Sequence, residues 1–167
     1  SIENKNEEMA RVAKLMTYIH NYSKENEAGR IERLEIWEKG WLETYSRFKK
    51  SLQYSDLIPG YVRDPVLRIH KRFAVAEGNA TIEHIIANRL LQFFFYKFFS
   101  NVEGIVELGC GTAKNLIILR KIFPNHVLYG TDWSKHSLDI IRLINKEKNE
   151  NINGIQLNML TLEGIEN

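Results

Sequence analysis

The sequence has few of the residues that cross-link a protein or anchor it in a membrane. Its 167 residues include one cysteine, Cys110, which excludes an intrachain disulfide and a metal site built from several cysteines. The most apolar segment, residues 82–99, is interrupted by Asn88, Arg89, Gln92 and Lys97. These polar positions exclude a typical membrane span and predict a buried amphipathic helix. The acidic, polar residues 1–8 do not resemble a signal peptide, and together these features favour a cytoplasmic protein.

The sequence also lacks a strong excess of charge. Lys and Arg number 23 against 21 Asp and Glu, which gives a net charge of +2. Basic and acidic residues are interleaved, as on solvated helix faces, so a nucleic-acid partner is not indicated. The five histidines show no metal-ligand spacing, and we predict no metal site.

The first hundred residues show apolar positions at helical spacing. One such set covers residues 9–19 and a second covers residues 31–48. We interpret the aromatic residues of the second set mainly as core packing, with closure of one of them over a ligand as the alternative; they are Trp37, Trp41, Tyr45 and Phe48. We therefore predict a helical region over residues 1–100 that forms a lid or extension.

Two further helices are predicted within this region from their starting residues. Asp64 and Pro65 suit a helix start, and the short helix that they predict ends at about Phe73. Thr81 is a candidate cap for a longer aromatic helix that ends near Phe99.

From Val102 onward the pattern changes to short apolar strands that alternate with helices. The predicted strands are 104–108, 127–131 and one that starts at 155–157, and the predicted helices are 113–123 and 134–150, the second capped by Ser134. Strands alternating with helices indicate parallel crossover units. Residues 101–167 are therefore predicted to form part of a parallel α/β sheet.

A glycine turn joins the first strand of this sheet to the helix that follows. Gly109 and Gly111 permit unusual backbone angles and leave space for a ligand to approach. The third glycine of a dinucleotide-binding fingerprint is missing, because Lys114 stands in its place. By itself the turn is equally compatible with a ligand site and with a tight turn that binds nothing.

Two acids at strand ends favour the ligand site. Glu107 precedes the turn, where it can bond the loop amides and reach a ligand ammonium group, or serve only to hold the loop. Asp132 ends the second strand, and its carboxylate can accept hydrogen bonds from both ribose hydroxyls. The ring of Trp133 can then lie along an adenine. The alternative role for Asp132 is helix capping, which Ser134 already provides.

Residues 107–113 resemble the first motif of class I S-adenosylmethionine-dependent methyltransferases, and Asp132 matches their second, ribose-binding motif. The resemblance covers about residues 102–163. It implies a Rossmann-like fold, S-adenosylmethionine as cofactor and S-adenosylhomocysteine as product. The family's third motif falls on Asn158 and Met159, which the resemblance places beside the adenine ring. Ala113 replaces the glycine most often found there, which a helix start tolerates.

Three other residues are candidates for the same cofactor site. Asn115 lies one turn into the helix and either bonds the cofactor carboxylate or faces solvent. Cys110 lies in the loop, where a small residue fits; a nucleophilic role would need a lowered thiol pKa. Arg68 belongs to a basic cluster that is either a solvated face or a lid that contacts the cofactor carboxylate or an anionic substrate.

The family normally continues with further strands on the free side of the first one. Strand 104–108 would be left unpaired there, so we expect that the chain is a fragment or that a homo-oligomer or second chain covers this edge. Catalytic bases in this family usually follow later strands. We therefore name no catalytic residue and expect little transferase activity from this chain alone.

Four functions remain open at this stage. The first is a methyltransferase with a small-molecule acceptor, which the near-neutral charge favours. A nicotinamide-dependent oxidoreductase would instead bind NAD more tightly than S-adenosylhomocysteine. A non-catalytic scaffold would bind neither, and a nucleic-acid methyltransferase would show salt-dependent RNA or DNA binding.

Overall fold

The chain folds into a three-stranded parallel sheet with helices packed around it. In the computed structural model, residues 17, 30–59, 66–69, 72–75, 82–159 and 161 are described. The elements in chain order are α1 (Arg30–Ser51), a 3-10 turn (Tyr54–Leu57), β1 (Val66–Ile69), β2 (Arg72–Val75), α2 (Ile82–Phe99), β3 (Gly104–Leu108), α3 (Lys114–Ile122), β4 (Val127–Asp132), α4 (Lys135–Lys148) and β5 (Ile152–Gln156).

The sheet has the strand order β3-β4-β5, and all of its strands run parallel. Leu108 pairs with Thr131, and Thr131 pairs with Ile155, so the carboxyl ends of the three strands lie at one edge. Helix α3 connects β3 to β4, and helix α4 connects β4 to β5. This arrangement confirms the predicted Rossmann-like α/β fold.

The hydrophobic core joins the sheet to helices α3 and α4. Its fully buried side chains include Leu116 of α3, Leu128 of β4 and Ile141 of α4, and Phe48 of α1 belongs to the same cluster. Helix and sheet approach so closely at Gly130 that an added Cβ would lie 2.6 Å from Leu116 Cδ1. A Cβ at this position of β4 would displace the buried ends of the Leu116 and Ile141 side chains, so glycine allows α3 and α4 to pack close to the strand.

A single arginine holds together the loops that precede β4 and β5. Arg120 Nε donates to the carbonyl of Glu150 at 2.8 Å, and Nη2 donates to that of Asn151 at 2.9 Å. Nη1 donates to the carbonyls of Pro124 at 2.7 Å and His126 at 2.9 Å. Backbone carbonyls that would otherwise be unpaired are thus satisfied at the amino-terminal edge of the sheet.

Most of the predicted elements after Val102 are confirmed. The Ser134 side chain accepts from Ser137 N at 3.3 Å, so it caps α4 as expected. The third strand, however, begins at Ile152 and not at 155. Asn145 fixes this start, because its side chain exchanges two hydrogen bonds with the backbone of Ile152 at 2.7 and 2.9 Å.

The helix predicted up to about Phe73 is wrong, because β1 and β2 form an antiparallel hairpin there. Arg68 pairs with Phe73 in the hairpin register, and β1 contacts α2. Residues 1–100 are therefore not all helical. The periodic set 9–19 (apart from residue 17), the predicted Asp64 helix start and the predicted Thr81 cap lie outside the described residues.

The aromatic helix α2 is confirmed, but the prediction that it is buried is wrong. Phe93 and Tyr96 are 61% and 69% exposed, whereas Phe95 and Phe99 pack against the core. No described helix combines the length and apolar character needed to cross a membrane.

The first strand of the sheet has an open edge. Within the part of the chain that the structure describes, β3 pairs on one side only, with β4. Its Val106 and Leu108 side chains are 57% and 61% exposed.

Candidate functional site: a cavity at the glycine turn

A cavity of about 470 Å³ lies at the carboxyl ends of β3 and β4. One wall is the turn between β3 and α3, together with Asp132 and Trp133 after β4. The opposite side is formed by helices α1 and α2, which contribute Trp37, Trp41, Ala87 and Leu91. Its volume lies within the range of small-molecule sites, and its position at the strand ends is typical of ligand sites in open α/β sheets.

The glycine turn has the left-handed backbone that the sequence predicts. Gly109 and Gly111 have φ of +69° and +53°. The ring of Trp41 packs against Gly111, where an added Cβ would lie 3.1 Å from Trp41 Cζ2. Ala113 also has a positive φ, +58°, so its presence in place of glycine strains the backbone and is not an ordinary helix start.

Asp132 is 5% exposed and connects the turn to the start of α4. Its Oδ2 accepts from Gly111 N at 2.8 Å, and its Oδ1 accepts from Ser134 N at 2.9 Å. Its main-chain carbonyl accepts from Leu157 N at 2.9 Å. Each carboxylate oxygen can accept a second hydrogen bond, so the group retains capacity for a ligand on the cavity side.

Glu107 has one satisfied and one unsatisfied oxygen. Oε1 accepts from Asn115 Nδ2 at 2.7 Å, whereas Oε2 is buried with no hydrogen-bond partner in the described structure. Burial raises the pKa of Glu107 to about 7; the Asn115 hydrogen bond lowers this pKa, and the charge of Asp132 raises it. Buried polar atoms are normally paired, so an unpaired oxygen in a cavity wall indicates a missing donor.

Asn115 thus contacts Glu107, an interaction that the sequence analysis did not predict. Its amide fixes the orientation of the Glu107 carboxylate across the turn. Asn115 is the second residue of α3, and the tight turn before the helix brings its amide back to Glu107 near the end of β3. The glycines that make this turn tight are the sequence signal for the contact.

The tryptophans of α1 line the cavity. This position favours the interpretation that one of them closes over a ligand, rather than the interpretation that both pack in the core. The ring centroids of Trp37 and Trp41 are 5.4 Å apart with an interplanar angle of 34°, and Trp37 is half-exposed. Farther along the helix, Tyr45 is partly buried and Phe48 is fully buried, as the core interpretation predicts.

Helix α1 is fixed to α4 beside the cavity. His136 of α4 lies 3.7 Å from a carboxylate oxygen of Glu38 and stacks on the ring of Tyr45. Its other ring nitrogen lies 3.5 Å from Asp139. These contacts hold the helix that carries the tryptophans against the sheet domain.

Some of the remaining predicted site residues line the cavity, and others lie outside it. Cys110, Trp133 and Met159 line the cavity, and burial, with the charges of Asp132 and Glu107, raises the pKa of the Cys110 thiol. A protonated thiol is a poor nucleophile, so Cys110 serves as a small wall residue. Asn158 is half-buried next to Met159 but does not line the cavity.

Arg68 lies on the hairpin strand β1, and its side chain is outside the described part of the structure. Lys114, which was not among the site residues predicted from the sequence, also lines the cavity. Within the described ranges, no group of three or more His, Cys, Asp or Glu residues could hold a metal ion.

No protein-family model and no curated protein matches the chain. Among solved structures, it is similar to the plantazolicin methyltransferase BpumL in complex with SAH and a monoazolic desmethylPZN analog, with 17% identity over 74% of this chain. The complex of BpumL with a triazolic analog and SAH gives 19% identity over 75%. Both have a TM-score of 0.34, and this chain spans 41% of the BpumL chain.

Proposed function

We propose that the cavity binds S-adenosylmethionine and that the chain is part of a methyltransferase with a small-molecule acceptor. The observation that carries the proposal is Glu107 Oε2, a buried acceptor without a described partner in the wall of a ligand-sized cavity. The ammonium group of an amino-acid-bearing nucleoside supplies the donor and the positive charge that this oxygen needs.

The sheet edge offers complementary groups for the rest of the cofactor. Asp132 has free acceptor capacity for the two ribose hydroxyls, and Trp133 offers a ring surface for the adenine. Met159 lies against Gly109, 3.6 Å from the position of an added Cβ, and closes the same side of the cavity. The adjacent Asn158 remains a candidate for the adenine amino group.

The contribution of this chain to methyl transfer is binding and orientation. The cofactor supplies an electrophilic methyl group on a sulfonium. Trp37 and Trp41 line the cavity on the α1 side, and a tryptophan face attracts a nearby cation. The acceptor pocket and any catalytic base are not assigned to residues of this chain, which spans 41% of the BpumL chain.

The same contacts argue against NAD as the ligand. A dinucleotide places a pyrophosphate at the glycine turn, where the Glu107 carboxylate would repel it. The Lys114 side chain also stands where the dinucleotide fingerprint has its third glycine.

Calorimetric titration of the chain with S-adenosylhomocysteine and with NAD tests the proposal. We expect saturable binding of S-adenosylhomocysteine and at least tenfold weaker binding of NAD. Glu107→Gln keeps an acceptor for Asn115 but replaces Oε2 with a donor, and should weaken S-adenosylhomocysteine binding about tenfold or more. Glu103→Gln, on an exposed residue just before β3, is the matched control.

Three results would contradict the proposal: tighter binding of NAD, unchanged affinity in Glu107→Gln, or no binding of either ligand. The last is what a non-catalytic scaffold predicts. The melting temperature of each variant, measured in parallel, separates loss of a contact from loss of the fold.

A further inference from the structure

Lys114 is a cation in the cavity wall that pairs with none of the described anionic side chains. It is the first residue of α3 and is half-buried, and burial lowers the pKa of its ammonium group. No carboxylate of the described residues forms an ion pair with it, although Glu107 lines the same cavity. Both charges therefore remain available to a ligand.

The fold alone gives no reason for a lysine at this position. The amino terminus of a helix carries partial positive charge and disfavours a cation, and partial burial adds a desolvation cost. Lys135 provides a comparison, because it is the first residue of α4 yet is exposed and outside the cavity. A ligand anion would offset both costs at Lys114.

The neighbouring donors are already engaged. Asn115 donates to Glu107, and Arg120 donates to four backbone carbonyls at the other end of α3. Among the described residues that line the cavity, Lys114 is the one cationic side chain.

We propose that Lys114 binds the carboxylate of the amino-acid moiety of S-adenosylmethionine while Glu107 binds its ammonium group. This inference rests on the proposed function and names the residues that recognise one end of the ligand. An α-amino acid carries both charges on a single carbon, and Glu107 and Lys114 flank the same turn, at the end of β3 and the start of α3. In this assignment Lys114, rather than the sequence-predicted candidates Asn115 and Arg68, binds the cofactor carboxylate.

The test compares S-adenosylmethionine with its decarboxylated form, which keeps the ammonium group and the sulfonium. Lys114→Gln should weaken binding of S-adenosylmethionine about tenfold or more and change binding of the decarboxylated form less than twofold. Glu107→Gln should weaken both ligands. Lys135→Gln, the matched control at the start of α4, should leave both affinities unchanged.

Each outcome of this comparison decides a separate point. If Lys114→Gln weakens both ligands equally, or neither, the lysine assignment is overturned while the proposed function stands. If the unaltered chain binds neither ligand, the proposed function fails and the assignment fails with it. A melting temperature of Lys114→Gln at or above that of the unaltered chain shows that the variant is folded.

Discussion

Asn115 donates its side-chain amide to Glu107 Oε1 at 2.7 Å, across the turn that joins β3 to α3. The bond holds one oxygen of the carboxylate and leaves Oε2 for the cavity. It also opposes the effect of burial, because a donor to the ionised form lowers the pKa that desolvation raises. One amide therefore fixes the orientation of the carboxylate and partly offsets the rise in its pKa that burial causes.

Binding of S-adenosylhomocysteine should depend on pH through Glu107. The pKa of Glu107 is raised to about 7, so below pH 7 the free protein must release a proton before the carboxylate can pair with an ammonium group. Affinity should fall by up to about tenfold per pH unit below this value and level off above it. Calorimetry between pH 5.5 and 8, in buffers of different ionisation enthalpy, measures both affinity and proton release.

Asn115→Ala removes the donor that lowers the pKa of Glu107, so the midpoint of the binding profile should move to higher pH. Asn125→Ala, on an exposed residue after α3, is the control and should keep the original midpoint. A profile that is flat in the unaltered chain, or the same in Asn115→Ala, would contradict this account.

Glu107→Gln should also change how stability depends on pH. The folded pKa of about 7 lies above the ordinary value of 4.5, so the folded chain retains the Glu107 proton more tightly than the unfolded chain. Between these two pKa values, rising pH therefore lowers the stability of the unaltered protein. The stability of the variant relative to the unaltered chain should increase from pH 5 to pH 8, by on the order of 2 kcal/mol.

Urea unfolding at a series of pH values measures this difference. If the free energy of unfolding of Glu107→Gln minus that of the unaltered chain stays constant, or falls, between pH 5 and pH 8, Glu107 is not protonated in the folded chain.

Gly111→Ala should destabilise the protein by about 2 kcal/mol and weaken ligand binding. The backbone at Gly111 has φ +53°, and a Cβ there would lie 3.1 Å from the ring of Trp41. Gly40→Ala in α1 is the opposite case, because its Cβ would meet nothing within 4 Å and alanine favours a helix by about 0.5–1 kcal/mol. Thermal unfolding of the two variants should therefore show shifts of opposite sign.

Arg120→Met should destabilise the chain by about 3 kcal/mol, because four carbonyls lose a charged donor. Arg142→Met is the control: its exposed side chain pairs with Asp139 on the surface of α4 and should contribute less than about 1 kcal/mol. Denaturant unfolding measures both values. Equal effects in the two variants would mean that the Arg120 contacts add little beyond a surface ion pair.

The sequence predicted the sheet well where local signals and tertiary packing agree. The turn with Gly109 and Gly111, the strand that ends at Asp132 and the Ser134 cap each have a local physical cause, and each is present in the structure. The start of β5 was missed because Asn153 and Gly154 are poor strand formers, and pairing with β4 imposes the strand there.

The hairpin and the far wall of the cavity depend on contacts that the sequence does not display. Val66, Ile69 and Phe73 are spaced as in a helix, yet the short segments pair with each other as strands. Similarly, helical spacing put Trp37 and Trp41 on the inner face of α1, but only the fold shows that this part of the face meets the glycine turn.

The hydrogen bonds of Asp132 limit what mutagenesis of that residue can show. It fastens the glycine turn to the start of α4 through two backbone amides, and its own carbonyl holds the segment after β5. Removing the carboxylate would release the turn whether or not a ribose is ever bound there. Asp132 is thus a poor reporter of ligand contact, whereas Glu107 and Lys114, neither of which forms an ion pair with a described residue, are the informative positions.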